Sequence, residues 1–187
     1  MPGQRKVGLF PGSLREQGIS RRLSNALIEL APKSLDIEMF AIGELPLYNA
    51  DLEDAAPQAW LDMRKKLLGV DAVLFVTPEH NRSIPAALKN AIDVGSRPYG
   101  KNSWAGKPGA IVSFSTGAMG GFGVNHHLRQ CLVFVDVPTM QQPEAYLGNA
   151  GDLIDDGGVL ANEGSKAFLR QFMASFADWI SLTAPRG

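Results

Sequence analysis

The sequence predicts an open, doubly wound parallel α/β sheet of five strands, in the order 2-1-3-4-5, with helices on both faces. Short unbroken apolar runs, which are typical of strands buried on both faces, alternate with segments whose apolar residues recur at helical spacing. The alternation occurs five times, with no internal repeat and no linker. Polar or glycine-rich loops follow the first, third and fourth strands. In such sheets, ligands bind beyond the carboxyl ends of the strands, where the strand order reverses.

Composition indicates an ordinary globular protein and excludes several other classes. The 187 residues, predicted to form one domain over 1–187, are 45% hydrophobic and 20% charged. A net charge of −1 implies no basic face for nucleic acid. The single cysteine, Cys131, excludes a disulfide framework and a zinc knuckle, and its apolar neighbours predict a core position. No apolar run reaches a membrane-spanning length and no signal peptide is evident, so we expect a cytoplasmic protein without membrane or metal partners.

The first strand and the loop after it predict an anion site. The apolar run at 7–10 is ended by the Pro-Gly pair at 11–12, and a helix begins near Ser20. The free N–H groups and the dipole of a helix N-terminus favour an anion. Ser13 and Ser20 add hydroxyl donors, and Arg15 adds a planar charged group that suits phosphate oxygens. We therefore predict a phosphate site here.

The loop differs from the common nucleotide-binding motifs. It has neither the GxxxxGK[ST] pattern of nucleoside triphosphate sites nor the GxGxxG pattern of dinucleotide sites. Hydroxyl groups and an arginine favour a terminal phosphate monoester over a bridging pyrophosphate. Taken singly, Ser20 is more typical of a helix cap, and Arg15 of a solvated loop charge. Only their combination at the end of the first strand favours phosphate.

The remaining elements follow in alternation. A second, less buried strand is predicted at 35–40, where apolar and polar residues alternate. A helix opens at Pro57 and ends at Gly69, and the strand at 72–76 is apolar throughout. The further predictions are a helix over 86–94, a polar loop over 97–107, a strand at 110–114, a helix through 128–133, a short strand at 138–141 and a closing amphipathic helix that carries Phe168, Phe172, Phe176 and Trp179.

The loops after the third and fourth strands indicate the shape of the ligand. The loop at 77–85 offers backbone N–H groups around Glu79, His80 and Asn81. The loop at 115–123 is rich in glycine, which allows the backbone to approach a ligand closely. A flat ring with a phosphate tail fits both loops. A flavin ring needs orientation and hydrogen bonds at its edge rather than an acid–base pair, which agrees with the lack of a Ser-His-Asp set or a metal cluster.

Four segments of the sequence resemble the NADPH-dependent FMN reductase family. They are GSLREQGISRRL, TPEHNRSIPAALKNAID, WAGKPGAIVSFSTGAMGG and HLRQCLVFVDVPTMQQPE. The resemblance extends over residues 7–146 and is closest to the bacterial quinone and chromate reductases of that family. It implies a flavodoxin-like fold, a bound flavin mononucleotide (FMN), and NADPH or NADH as co-substrate.

The same resemblance implies roles for individual residues. The implied FMN contacts are Ser13, Arg15 and Ser20 for the phosphate, with Ser83 near that loop; Pro78, Glu79, His80 and Asn81 for the ring and ribityl chain; and Ser115, Thr116 and Gly117 for the other edge of the ring. Two positions depart from the family pattern. Gly18 removes a hydroxyl group from the phosphate loop, and His80 stands where tyrosine is common.

The resemblance also implies a homodimer or homotetramer. Arg97 and Glu144 match polar interface positions, and His126 replaces the usual tyrosine before HLRQ. Such residues would shape the flavin pocket of a neighbouring subunit. From sequence alone, solvated surface charges and a hydrogen-bonded histidine explain the three positions nearly as well. We expect His127 to be structural.

The predicted function is transfer of a hydride from NAD(P)H through FMN to a quinone, free flavin, an azo compound or an oxidising metal anion such as chromate. Successive use of one open flavin face implies ping-pong kinetics. Two alternatives remain: an electron carrier of flavodoxin type without nicotinamide turnover, and a flavin-free regulatory or structural protein of the same fold. The nearly neutral net charge disfavours the carrier, since such carriers are usually strongly acidic.

Overall fold

The computed structural model describes residues 4–183, and its five strands form an all-parallel sheet in the order β2-β1-β3-β4-β5. The strands are β1 (Arg5–Pro11), β2 (Leu35–Met39), β3 (Ala72–Pro78), β4 (Gly109–Phe114) and β5 (Ala145–Leu147). The predicted fold class and strand order are confirmed. The reversal of strand order falls between β1 and β3, so the predicted site lies at the carboxyl ends of these neighbouring strands.

Helices connect and cover the strands. They are α1 (Ile19–Leu30), α2 (Gln58–Leu68), α3 (Ala86–Gly95), α4 (Phe122–Phe134), α5 (Ala150–Leu153) and α6 (Glu163–Thr183), and a 3₁₀ helix spans Ala50–Ala55. α1 begins beside the predicted start at Ser20. α2 ends as predicted at Gly69, whose N–H donates to the Lys66 carbonyl at 3.0 Å. The 3₁₀ helix and α5 lie in segments predicted as loops.

One face of the sheet is covered by α1 and α6. Val7 and Leu9 of β1 and Leu74 of β3 are fully buried there, against Leu23 of α1 and Phe172 of α6. Burial of each apolar side chain of this size contributes about 1.5–3 kcal/mol. This cluster holds α1 against β1 and β3, and it therefore positions the loop between β1 and α1.

The opposite face is covered by α2, α3 and α4 and contains an aromatic cluster. Phe10 and Phe75 stack with 5.6 Å between ring centroids, and Trp104 packs on both, at 5.0 and 5.9 Å. Trp104 is fully buried, and its Nε1–H donates to the Ile92 carbonyl at 3.0 Å. The predicted polar loop at 97–107 thus contributes one of the largest side chains of the core.

The fifth strand lies at Ala145–Leu147, and the prediction of a strand at 138–141 is wrong. In that segment Thr139 makes an isolated bridge to Gly109 of β4. The Gly109 N–H donates to the Pro138 carbonyl at 3.0 Å, and the Met140 N–H donates to the Gly109 carbonyl at 2.7 Å, so this segment pairs with the first residue of β4. Regular pairing with β4 begins further along the chain, at Ala145.

The last turn of α4 is more exposed than its apolar sequence suggests. α4 packs on the sheet through Leu128 and Leu132, which are fully buried. The helical rotation of about 100° per residue then turns Val133 and Phe134 outward, and these side chains are 77% and 87% exposed. Cys131, predicted to be a core residue, is only half-buried, and burial raises the pKa of its thiol.

α6 closes the fold as an amphipathic helix. Phe172 and Phe176 are buried as predicted, whereas Phe168 is 37% exposed. Trp179 is half-buried, and its Nε1–H donates to the Pro138 carbonyl at 2.9 Å. Between residues 4 and 183, no helix combines the length and the apolar character needed to cross a membrane.

Candidate active site at the carboxyl edge of the sheet

Three loops lie side by side at the carboxyl edge of the central strands. The first loop (12–18) follows β1, the second loop (79–85) follows β3, and the third loop (115–121) follows β4. The first loop lies directly against the end of β3, since the Gly12 N–H donates to the Val76 carbonyl at 2.8 Å. A Cβ on Gly12 would lie 2.4 Å from Thr77 Oγ1. Only glycine allows this close approach, which joins two parts of the site.

The first loop leaves donors free at the start of α1. The N-cap residue, Gly18, makes no side-chain hydrogen bond, and the first turn contains no acidic residue. The backbone N–H groups of Ile19 and Ser20 donate to no group within residues 4–183. The Arg15 guanidinium is exposed and likewise has no partner in that range, while Ser13 Oγ accepts the Arg15 N–H at 3.3 Å. These free donors fit an anion.

The Ser20 hydroxyl, a predicted phosphate donor, makes a hydrogen bond within the protein in this structure. Its side chain is fully buried, and its hydroxyl donates to the Val76 carbonyl of β3 at 2.8 Å. Because the hydroxyl has one proton, it cannot also donate to a phosphate. The hydroxyl thus holds α1 against the sheet, and within residues 4–183 the donor that Ser20 leaves free is its backbone N–H.

The second loop folds into a tight turn. His80 and Ser83 exchange two backbone hydrogen bonds, at 3.1 and 2.9 Å, across Asn81 and Arg82. Both central residues are left-handed, with φ of 51° and 65°, as in a type I′ turn. The predicted ring contacts His80 and Asn81 are exposed at this turn, and Pro78 is the half-buried last residue of β3.

Two side chains of the second loop contact α4. The Ser83 hydroxyl, predicted near the first loop, lies 2.8 Å from Nδ1 of His127. Glu79, whose side chain is 9% exposed, accepts the Val124 N–H at Oε2 over 3.1 Å. His127, expected to be structural, thus joins α4 to the second loop. The side chains of Ser83 and Glu79 therefore connect the second loop to α4.

The third loop is held by the segment after β5. The N–H groups of Asn149 and Ala150 donate to the carbonyls of Gly117 and Ser115, both at 3.0 Å. The Ser115 hydroxyl donates to the Gly117 carbonyl at 2.8 Å. Thr116 and Gly117 are exposed, and a Cβ on Gly117 would meet nothing within 4 Å. The loop is fixed in place and presents an open edge.

A buried polar network, which sequence reasoning missed, supports the third loop. Asn125 of α4 is fully buried, and its Nδ2 donates to the Ser113 hydroxyl of β4 at 3.1 Å. Ser113 Oγ lies 3.0 Å from the Gly120 carbonyl. Arg129 donates to Asn125 Oδ1 and to the Met140 carbonyl, both at 3.0 Å. Since buried polar groups are costly unless paired, the network fixes strand, loop and helix together. The feature of the sequence that could have indicated this network is Ser113, a polar residue within the apolar run at 110–114.

His126 and Tyr146 form an aromatic cluster with Phe122 beside the third loop. The Tyr146 hydroxyl lies 3.2 Å from Nε2 of His126, and the rings of His126 and Phe122 are 4.3 Å apart. Burial, and after it the neighbouring Glu144 carboxylate, raises the pKa of Tyr146 to about 12. Tyr146 therefore remains a neutral hydroxyl group at neutral pH. The structure thus groups two predicted interface residues, His126 and Glu144, around Tyr146.

Arg97 lies apart from the other predicted site residues. It follows the carboxyl end of α3, which runs antiparallel to the strands and leads away from the three loops. Its guanidinium carbon lies 6.0 Å from the centre of the Tyr48 ring. Arg97 lines a groove of about 470 Å³ between α3 and α4, together with Cys131 and Phe134. Arg97 therefore lies away from the three loops of its own chain.

The arrangement suits ligand binding better than acid–base chemistry. The start of α1 and Arg15 offer donors to an anion, and the third loop leaves an open edge. In the part of the chain that the structure describes, no group of three or more His, Cys, Asp or Glu side chains is placed to hold a metal ion. A phosphate-bearing ring with its own reactivity fits these features.

Comparison with known proteins agrees with this geometry. A family model described as NADPH-dependent FMN reductase matches residues 5–152. The chain belongs to this family. The resemblance predicted from the sequence is thereby confirmed.

Several relatives of this FMN reductase are named as quinone reductases. A quinone reductase of Pseudomonas putida is 56% identical over 177 residues, which cover 94% of this chain and 95% of that protein. A 2-hydroxy-1,4-benzoquinone reductase of a Burkholderia species is 38% identical over 175 residues, which cover 94% of this chain and 96% of that protein. Among solved structures, FerB, a flavoenzyme NAD(P)H:(acceptor) oxidoreductase from Paracoccus denitrificans, has a TM-score of 0.91 at 38% identity and covers 97% of this chain and 100% of its own.

As a member of the FMN reductase family, the chain is an oxidoreductase that uses FMN and NAD(P)H. The predicted cofactor and co-substrate class are confirmed. The residues present also fit the cofactor, because the start of α1 lacks a side-chain cap and the Arg15 guanidinium makes no hydrogen bond within the described range 4–183, and both suit a phosphate group. The role of each residue in binding FMN stays a prediction.

Proposed function

We propose that this FMN reductase reduces quinones with electrons from NAD(P)H. The observation that carries the proposal is an uncapped helix N-terminus and an open glycine-containing loop at one edge of the sheet. The relatives named as quinone and benzoquinone reductases support a quinone as the electron acceptor. Free flavin, azo compounds and oxidising metal anions such as chromate are further candidate acceptors.

In this proposal, the first loop binds the FMN phosphate. The backbone N–H groups of Ile19 and Ser20 donate to its oxygens, and the dipole of α1 favours its charge. Arg15 adds a charge-assisted hydrogen bond, which is stronger than one between neutral groups. Ser13 supplies a hydroxyl donor. The phosphate thereby takes the place of the side-chain cap that α1 lacks.

The second and third loops orient the flavin ring. Backbone groups of residues 78–81 line one edge, with His80 beside them, and residues 115–117 line the other. Glu79 and Ser115 act through their backbone, because their side chains already make hydrogen bonds within the protein. Bound FMN supplies the redox chemistry, since its ring accepts a hydride and passes two electrons on. The protein binds and orients the reactants, and no side chain is assigned a proton transfer.

We further propose that a second copy of the chain completes the site, in a homodimer or homotetramer. Arg97 lies along the α3–α4 groove, away from the loops of its own chain. Phe134 lines this groove and also the neighbouring cavity that Tyr99 lines, and the side chains of Tyr99 and Phe134 are 93% and 87% exposed. Apolar exposure of this kind marks interaction surfaces. A second copy seated on the groove would bury Phe134 and would bring Arg97 towards another flavin site.

We propose the cytoplasm as the site of action. Cys131 is the single cysteine among 187 residues, so the chain has no internal disulfide to form. This composition agrees with a reducing compartment. Fractionation of the native host cells, followed by immunodetection of the protein, would test the location.

Purified protein is expected to be yellow and to contain one FMN per chain. Heat denaturation should release the flavin into the supernatant, where chromatography identifies it and absorbance gives the ratio to protein. Recovery of FAD alone would contradict the cofactor. A yellow protein without NAD(P)H-dependent quinone reduction would favour the electron carrier, and a protein without affinity for added FMN would favour the flavin-free alternative.

Donor and acceptor are expected to use the open side of the site in turn. Double-reciprocal plots against NADPH or NADH at several fixed benzoquinone concentrations should therefore be parallel. Each substrate should also inhibit competitively against the other at high concentration. The same assay with free flavin, an azo dye and chromate ranks the other acceptors. Intersecting lines would mean a ternary complex and two separate sites.

Replacing Phe134 with glutamate is expected to reduce the oligomer to smaller species, because a charge at the groove cannot be buried without a partner. Light scattering coupled to size-exclusion chromatography measures the mass. Leu182→Glu, at a 74% exposed position on α6, is the control and should leave the mass unchanged. An unchanged mass in the Phe134 variant would exclude this groove as the interface.

A further inference from the structure

Glu79 is a largely buried carboxylate at the edge of the proposed flavin site. Its side chain is 9% exposed, although the three residues after it are exposed. Oε2 accepts the Val124 N–H at 3.1 Å, and Oε1 accepts an N–H of the Arg82 guanidinium at 3.2 Å. The two oxygens therefore bind different elements: the start of α4 and the turn of the second loop.

The sequence at the start of α4 explains the need for this carboxylate. The N-cap residue, Gly121, lies in the left-handed region with φ of 74° and has no side chain that could cap the helix. The first turn contains no acidic residue. Val124 carries one of the N–H groups that find no partner inside a helix. Glu79 caps α4 from another loop, and its charge interacts favourably with the helix dipole.

Gly123 allows the carboxylate to reach the helix. A Cβ on Gly123 would lie 2.9 Å from Glu79 Oε2 and 3.1 Å from the Arg82 carbonyl oxygen. A methyl group at this position would therefore push the second loop away from α4. The hydrogen bond between Ser83 and His127, at 2.8 Å, joins the same two elements a few residues further along.

The backbone of Arg82 supports the same interpretation. Arg82 occupies the second central position of the turn with φ of 65°, where glycine is strongly preferred because a Cβ is strained there. Its side chain is 75% exposed, and the guanidinium donates a hydrogen bond to Glu79 Oε1. An arginine held in this conformation keeps its charge beside the buried carboxylate.

We propose that Glu79 is a positioning residue whose carboxylate ties the second loop to the start of α4 and thereby sets the gap between the second and third loops. The third loop runs from β4 into α4, so the start of α4, together with the hydrogen bonds from Asn149 and Ala150, determines where residues 115–117 lie. The inference rests on the proposed function, which puts the FMN ring between these two loops. The side chain of Glu79 acts on the ring through α4 and not by touching it.

Fluorescence titration of FMN-free protein with FMN tests the role. Glu79→Ala is expected to weaken binding about 10-fold, as for loss of a capping hydrogen bond to a charged group. Glu79→Gln keeps an oxygen that can accept the Val124 N–H and should recover most of the affinity. The visible absorption spectrum of bound FMN should change in the alanine variant and return in the glutamine variant. In FMN-free protein, hydrogen exchange at the Val124 amide should be faster in the alanine variant alone.

Two further variants separate the helix link from the ion pair. Arg82→Gly leaves the bond to Val124 in place, so its FMN affinity should stay within about threefold of wild type. Gly123→Ala should weaken FMN binding in the wild-type chain and have a smaller effect in Glu79→Ala, because the closer of its two contacts, with Glu79 Oε2, is then absent and only the one with the Arg82 carbonyl oxygen remains.

Several outcomes would overturn the proposal. Wild-type affinity and spectrum in Glu79→Ala would do so, as would a full loss in Arg82→Gly. If the Glu79→Ala variant does not fold, unchanged FMN affinity in Gly123→Ala overturns it instead. Failure of the wild-type chain to bind FMN would overturn the proposed function, and exchange at Val124 in the FMN-free protein would then still decide whether Glu79 joins loop and helix.

Discussion

Replacing Arg15 with alanine is expected to weaken FMN binding by about 10- to 150-fold, or about 1.5–3 kcal/mol, the contribution of a charge-assisted hydrogen bond. Arg15 is exposed on the first loop, and its guanidinium makes no hydrogen bond or ion pair within residues 4–183. Its removal should therefore leave the thermal unfolding midpoint of the FMN-free protein unchanged. Fluorescence titration with FMN measures the affinity.

Two controls define the contact at Arg15. Arg15→Lys should recover part of the affinity, since an ammonium group cannot make a bidentate contact with phosphate. Arg21 lines the same cleft of about 330 Å³ as Arg15, and Arg21→Ala should lower the affinity by less than about threefold. Equal losses in the two alanine variants would indicate a general charge effect. Unchanged affinity in Arg15→Ala would show that Arg15 is only a loop charge.

Replacing Trp104 with alanine is expected to lower the free energy of unfolding by about 3–5 kcal/mol. The side chain is fully buried, packs on Phe10 and Phe75, and donates a hydrogen bond to the Ile92 carbonyl. Its loss would leave a cavity beneath β1 and β3, the strands that carry the first and second loops. Urea denaturation of the FMN-free protein, followed by circular dichroism, measures the change.

Two variants in the same segment calibrate this loss. Trp104→Phe keeps an aromatic ring and removes the indole N–H, so it should cost about 1–2 kcal/mol. Tyr99→Ala, at a position that is 93% exposed, should change stability by less than about 0.5 kcal/mol in an isolated chain. A loss below about 1 kcal/mol in Trp104→Ala would mean that Trp104 contributes little to the core.

Local patterns in the sequence determined the fold class and the location of the site. Apolar runs at 7–10, 72–76 and 110–114 predict buried strands, and each lies within an observed strand. A parallel sheet of this strand order brings the loops after β1, β3 and β4 together, and this proximity does not depend on the side chains of the loops. Free donors at the start of α1 were also predictable, because a helix leaves its first N–H groups without partners and Gly18 supplies no cap.

Contacts between distant residues were decided by the tertiary structure alone. The sequence pattern shows that Ser20 and Glu79 lie near the site, but not that their side chains bond to Val76 and Val124, 56 and 45 residues away. The same holds for Trp104, whose burial depends on the space between α3 and the sheet. It also holds for β5, whose register against β4 begins at Ala145, beside Val112. The periodicity of the sequence indicates which side chains are buried. It does not indicate the hydrogen-bond partner of a buried polar group, because that partner comes from whichever element the fold packs against the group.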